Sequence, residues 1–321
     1  MDSGTADGAT NVRNAKRRSA QAACKTGLPM SRKLTALILH VGAGRFPKQM
    51  DRARNIRKKL EAISAEAYQF LETHSAVETV VEIVRRLEDW PETNAGTGAL
   101  LPSDGKARLS ASLMDGSHMC FSGVINTEKM KNPILLAQLL QNERDRILTS
   151  SGAERFAREK GFTSIDPRTK ESLDRWRALK KTQQKGMKYG TVGACALDRR
   201  GRLAAATSTG GRGMERVGRV SDSALPAGNF ANSYAAVSAT GLGEDIVEEA
   251  LASTLVVRAT DWKNLEKSFS RTFKEARKRK RRFAAIGLDR RGNLSWAHTT
   301  DLLYYVYHTP TRRGVFPFHL P

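Results

Sequence analysis

The 321-residue chain has no apolar run approaching the twenty residues that a membrane-spanning helix needs. Its three cysteines, Cys24, Cys120 and Cys195, are too few and too far apart for a disulfide framework and lack metal-ligand spacing. That scarcity points to a reducing compartment, and the expected location is the cytoplasm. No metal or other cofactor is expected from the residue pattern. The first 33 residues lack the continuous apolar segment of a secretory signal and read as a disordered basic tail, whose basic, acid-poor composition leaves an organelle-targeting role open. No internal repeat is present, and beyond that tail there is no low-complexity tract. What remains is a chain with 40% hydrophobic residues, long enough to bury a sizeable core.

Acidic residues are also scarce, 33 against 54 lysines and arginines, for a formal net charge of +21. Three segments hold most of the excess: 1–33, with seven basic and two acidic residues; 164–190, with eight and three; and 263–282, with ten and two. The third has Leu265, Phe269, Phe273 and Ala276 at helical spacing. Its basic residues therefore make a solvated face, enriched at the helix C-terminus where the macrodipole favours cations. That account needs no nucleic acid, which is not an expected partner.

Apolar periodicity predicts a strand at 36–41, helices over 48–73 and 76–89, strands at 107–114 and 119–125, and helices over 133–148 and 151–160. The polar, basic segment 164–190 reads as an exposed linker. Beyond it, strands at 192–198 and 203–208 flank the turn D-R-R-G and form a hairpin. Strands near 234–239, 283–289, 293–298 and 303–307 follow, with helices over 243–257 and 261–280. Helices mixed with hairpin-linked strands predict one α+β domain.

The linker ends in Gly190-Thr191-Val192-Gly193-Ala194. If the chain is cut before Thr191, that residue becomes a nucleophile with its own base, because a free α-amine titrates near pH ~8 and can take the hydroxyl proton. A glycine at 190 permits the closely approached, strained peptide that such an attack requires. Cys195, four residues on, has apolar neighbours and reads as a small buried hydrophobe.

Further blocks follow in order: H-V-G-A-G (40–44), L-E-D-W-P-E-T-N-A-G-T-G (87–98), A-S-L-M-D-G (111–116), K-N-P (131–133), T-V-G-A (191–194), T-S-T-G-G (207–211), G-R-V-S-D-S (218–223), A-T-G-L-G-E (239–244) and H-T-T-D (298–301). Together they resemble the N-terminal-nucleophile hydrolases of the plant-type asparaginase and isoaspartyl peptidase group, to which threonine aspartase (taspase) is a close relative. The resemblance covers most of residues 34–321. It implies a four-layer αββα sandwich in one domain, made of an N-terminal α subunit (34–190) and a C-terminal β subunit (191–321), and a homodimer of such αβ units. The implied reaction is hydrolysis of L-asparagine and β-aspartyl dipeptides through an acyl-enzyme.

By the same resemblance Thr191 is the nucleophile and Thr209 orients it. Thr240 with Gly241 forms the oxyanion hole. Arg219 grips the substrate α-carboxylate, Asp222 takes its α-ammonium, and Gly241 and Gly243 let backbone approach that head group. Asn94, with Gly190 and Thr191, belongs to self-cleavage. The loop 87–98 resembles one that binds sodium through backbone carbonyls in some relatives, a mode without side-chain signature. The sequence departs from the family pattern at Val41 and Ser221, where glycine is usual, and at Ser110, where an acid is usual. W-A-H-T-T-D (296–301) and the 87–96 block look more like the taspase branch. Two alternatives follow: a taspase-like endopeptidase cutting proteins after aspartate, and an inactive hydrolase core that binds nucleic acid or protein.

Overall fold

A computed structural model describes residues 34–44, 50–182 and 190–316. The tail 1–33, and 183–189 of the expected linker, lie outside the described residues. Twelve strands are described. β1 (Ala36–Gly44), β2 (Leu109–Asp115), β3 (Cys120–Thr127) and β4 (Ile147–Thr149) precede residue 190. β5 (Val192–Leu197), β6 (Leu203–Thr209), β7 (Asn229–Ala231), β8 (Ala235–Gly241), β9 (Phe283–Asp289), β10 (Leu294–His298), β11 (Leu302–His308) and β12 (Arg313–Val315) follow it. They form an eight-stranded sheet in the order β12-β11-β1-β5-β6-β2-β3-β4 and a four-stranded sheet in the order β10-β9-β8-β7.

The two sheets pack face to face. Ile38, Cys195 and Ala205 of the larger sheet share one buried cluster with Ala236, Ala284, Ile286 and Leu288 of the smaller. Burial of that many aliphatic side chains supplies the main driving force of the fold, at roughly 25 cal/mol per Å² of apolar surface. Helices α1 (Met50–Leu71), α2 (Ala76–Glu88), α3 (Pro133–Leu140) and α4 (Ser150–Glu159) cover the outer face of the larger sheet. The short helix α6 (Gly243–Glu248), with α7 (Leu251–Trp262) and α8 (Leu265–Lys278), lies on the smaller one. The result is the four-layer αββα arrangement of a mixed α+β fold.

Local chemistry fixes the boundaries. Ser75 and Glu78 make a reciprocal capping box at the start of α2, and Asn264 accepts the Lys267 N–H at the start of α8. The β5–β6 hairpin turns on Asp198, which accepts the N–H groups of Arg200 (2.8 Å) and Arg202 (3.0 Å), with Gly201 at φ 76°. Phe269 and Phe273 are buried under α8, while its basic residues face outward.

Three expectations are corrected. The helix placed over 133–148 stops at Leu140, because the Gln141 side chain turns back to donate to Ser122 Oγ (2.7 Å) and to the Leu113 and Cys120 carbonyls (both 3.2 Å). The helix over 243–257 is two helices, broken where Ala250 adopts a left-handed conformation at φ 43°. The segment 164–190 is not merely an exposed linker: it contains helix α5 (Lys170–Thr182), whose narrow stripe Leu173, Trp176 and Leu179 is half-buried.

Candidate active site

Thr191 immediately precedes β5, and Thr209 ends β6. The register that sets Val192 opposite Ser208 brings the two threonines side by side. The Thr191 hydroxyl donates to Thr209 Oγ1 at 3.2 Å, both groups are buried, and Thr209 Oγ1 also accepts the Gly211 N–H at 3.2 Å. A routine strand role is left to Thr207, which bonds Ser238 (2.8 Å) in the inter-sheet space.

The Gly190–Thr191 peptide is held by Asn94. Its backbone N–H donates to the Gly190 carbonyl oxygen at 3.2 Å, the atom on which negative charge would develop during attack by Thr191. A side chain at 190 has no room, since a Cβ there would lie 2.7 Å from that of Asn94. The Asn94 amide is fixed in turn: its Oδ1 accepts the Leu100 N–H (2.8 Å) and its Nδ2 donates to the Gly211 carbonyl (2.5 Å). The bend ahead of it points the Pro91 and Thr93 carbonyl oxygens at Gly98, where a Cβ would collide with both. Carbonyl oxygen is the ligand type that a hard cation takes. Among the described residues no group of three His, Cys, Asp or Glu side chains could hold a metal ion.

Arg219 and Asp222 meet at Gly243. A Cβ on that glycine would lie 2.5 Å from Arg219 Nη2 and 2.8 Å from Asp222 Oδ1, so a larger residue there would displace one or both side chains. Asp222 is 3% exposed, and burial pushes its carboxyl up to about 6 against the opposing effects of a hydrogen bond from Ser221 and the nearby Arg219 charge. Ser221, at a usual glycine position, donates to Asp222 Oδ1 at 3.0 Å. Asp222 Oδ2 is buried with no hydrogen-bond partner among the described residues. Arg219 and Ser221 line a small cavity together with Thr209 and Gly211, so that Arg219 and Thr209 border one space.

Thr240 and Gly241 end β8. Ser238, two residues earlier on the same face, packs where a side chain on Gly193 would lie, so Thr240 also belongs to the inter-sheet side. Its hydroxyl is fully buried and, among the described residues, unpartnered. Gly241 adopts φ 142° with Phe283 so close that a Cβ would lie 2.5 Å from the Phe283 Cα.

Two residues escaped sequence reasoning. Glu244 accepts from Arg219 along one guanidinium edge, Nε at 2.9 Å and Nη2 at 3.1 Å, fixing the fork; its position at the end of A-T-G-L-G-E was the available signal. His40, in H-V-G-A-G, is fully buried and bonds Ser238 Oγ at 2.9 Å, and burial lowers its pKa to about 3 although a Thr191 backbone hydrogen bond opposes this. It stays neutral, packed behind Thr191 and Gly193.

The asparaginase family profile matches residues 33–316, nearly all of the described chain. The chain belongs to the asparaginase family. Membership makes it an N-terminal-nucleophile hydrolase. It is 45% identical to an isoaspartyl peptidase/L-asparaginase of Nostoc sp., across 87% of this chain and 93% of that protein. A Synechocystis sp. protein of the same name is 43% identical over 87% of this chain and 89% of its own length. The plant-type L-asparaginase of Pyrococcus abyssi is 34% identical over 85% of this chain and 96% of that one.

Proposed function

We propose that this member of the asparaginase family cuts its own chain between Gly190 and Thr191 and then hydrolyses L-asparagine and β-aspartyl dipeptides. The observation that carries the reading is the Thr191 hydroxyl bonded to Thr209 beside a Gly190 carbonyl that already accepts the Asn94 N–H. Attack of that hydroxyl on the carbonyl forms an ester as the peptide nitrogen leaves with a proton and becomes the free α-amine, and water then splits the ester, releasing the Gly190 carboxylate and restoring the Thr191 hydroxyl. In turnover the amine takes the Thr191 hydroxyl proton and Oγ1 attacks the substrate side-chain carbonyl. Thr240 and the Gly241 N–H stabilise the tetrahedral oxygen. The leaving amine departs with a proton, and water releases aspartate from the acyl-enzyme.

The relatives named isoaspartyl peptidase/L-asparaginase support this substrate class. So does the buried, half-unpartnered Asp222, which suits a free α-ammonium better than the internal aspartate of a protein that a taspase-like endopeptidase would cut. Against a nucleic-acid role for the basic end of α8, Arg279 and Arg281 are paired with Glu249, and Arg271 with Glu275. The mature form is then an α subunit (34–190) and a β subunit (191–321) in one core, working as a homodimer in the cytoplasm.

Intact mass tests the first step. Wild-type protein should resolve under denaturing conditions into two chains, the shorter beginning at Thr191, while Thr191→Ala stays whole. A wild-type chain still uncut after prolonged incubation would overturn the mechanism.

A further inference from the structure

Self-cleavage leaves α5 at the end of the α subunit, where a spent linker has no further task. Its contacts assign it one. Trp176 donates its indole N–H to the Pro102 carbonyl at 2.9 Å, and its ring occupies the place of a side chain on Gly105, whose Cβ would lie 2.9 Å from the ring. Lys180 stands 4.7 Å above the same ring. Just before the helix, Arg168 is held by Asp166 and donates to the Gly105 carbonyl at 3.2 Å. The turn gripped in this way is tight, since the Gly105 N–H donates to Pro102 at 3.0 Å and Gly105 sits at φ 75°.

The other side of that loop carries the substrate-binding segment. The Leu101 carbonyl accepts the Met214 N–H at 2.9 Å, and the Ser103 N–H donates to the Glu215 carbonyl at 3.0 Å. Met214 is in a left-handed conformation at φ 58°, which a methionine keeps only when its surroundings impose it. Glu215 packs its carboxylate against Gly211, and the chain continues to Arg219. Pro102, Gly211, Glu215 and Arg219 line one cavity with Thr209. The loop is thus a splint, with the linker helix on its outer face and the backbone leading to Arg219 on its inner one.

We propose that segment 166–182 is a working part of the mature enzyme, in which Trp176 and Arg168 are positioning residues that hold segment 211–219, and with it Arg219, in register for the substrate head group. The proposal rests on the reading of Arg219 as the carboxylate-binding residue. Neither residue touches the reacting atoms, so their effect appears in binding and not in the chemical step.

The test uses the full chain after self-cleavage, with a β-aspartyl dipeptide as substrate. Trp176→Ala should raise KM roughly three- to tenfold, the range expected for one lost hydrogen bond, with kcat and the rate of self-cleavage unchanged. Trp176→Phe keeps the ring on Gly105 without the N–H donor and should recover part of that loss. Arg168→Ala should also raise KM, and it provides an independent measurement should Trp176→Ala fail to fold. Unchanged KM in both alanine variants overturns the proposal, as does a fall in kcat that tracks a lowered thermal midpoint, the mark of a merely structural helix. Arg219→Ala separates the two levels. If it raises KM while the α5 variants do not, the splint is wrong and the site reading stands; if it leaves KM unchanged, the site reading itself fails.

Discussion

Burial works against the role proposed for Asp222, which must be ionised to take an ammonium group yet has its carboxyl pushed up to about 6 by desolvation. The sign follows directly. Below about pH 6 the free enzyme carries a neutral carboxyl there, so kcat/KM for free-amine substrates should fall as pH drops through that value. Asp222→Asn should lose this acid limb and lower kcat/KM by roughly ten- to a hundredfold, the range for losing one charge-assisted hydrogen bond of ~1.5–3 kcal/mol. Self-cleavage should change far less, because the chain itself supplies that substrate. An N-acetylated β-aspartyl dipeptide, which offers no ammonium, should be cleaved poorly by the wild type. Equal rates on acetylated and free substrates would turn the assignment towards the endopeptidase reading.

At the scale of elements, the junction of α2, α3 and β6 behind the threonine pair is built on an acid. Glu88 is fully buried; it accepts hydrogen bonds from Ser208 Oγ (2.6 Å), the Ile134 N–H (3.3 Å) and Asn132 Nδ2 (3.3 Å). Desolvation nevertheless outweighs them and raises its pKa to about 8. The folded protein therefore holds a proton that the unfolded chain, with an ordinary carboxyl near ~4.3, gives up. This contribution to stability is complete below that value and is lost as pH rises through about 8. Urea midpoints measured from pH 5 to 9 should decline more steeply for the wild type than for Glu88→Gln, which cannot ionise. Parallel slopes would show that the carboxyl is not the source.

These same elements show what a sequence can reveal. The stripe Val80, Val81, Ile83, Val84 and Leu87 identifies α2, and D-R-R-G identifies the β5–β6 hairpin, because periodicity and turn chemistry are local. Helix α5 hides because its three apolar side chains are half-buried among charges. The candidate site residues came from ordered motifs, whereas their couplings did not. Arg219 finds Glu244 across 25 residues, and His40 finds Ser238 across 198, and no spacing rule reaches that far.

At the scale of the molecule, the strand order bears on what happens after the proposed cut. In the larger sheet β1 lies between β11 and β5, and β2 lies beside β6, so strands from before and after residue 190 are interlaced through three ladders. Two severed pieces cannot part without tearing the sheet, and the nick costs the folded protein little. Its effect falls on the return journey. An uncut chain refolds as a single body, but two pieces once separated by denaturant must find each other. Recovery of activity by the cut protein should therefore slow as the protein is diluted, whereas regain of native secondary structure by Thr191→Ala, followed by circular dichroism, should proceed at a rate independent of concentration. Concentration-independent recovery of the cut form would mean that its pieces never separate. The proposed cut would thus turn a fold whose recovery ignores concentration into a two-piece assembly whose recovery depends on it.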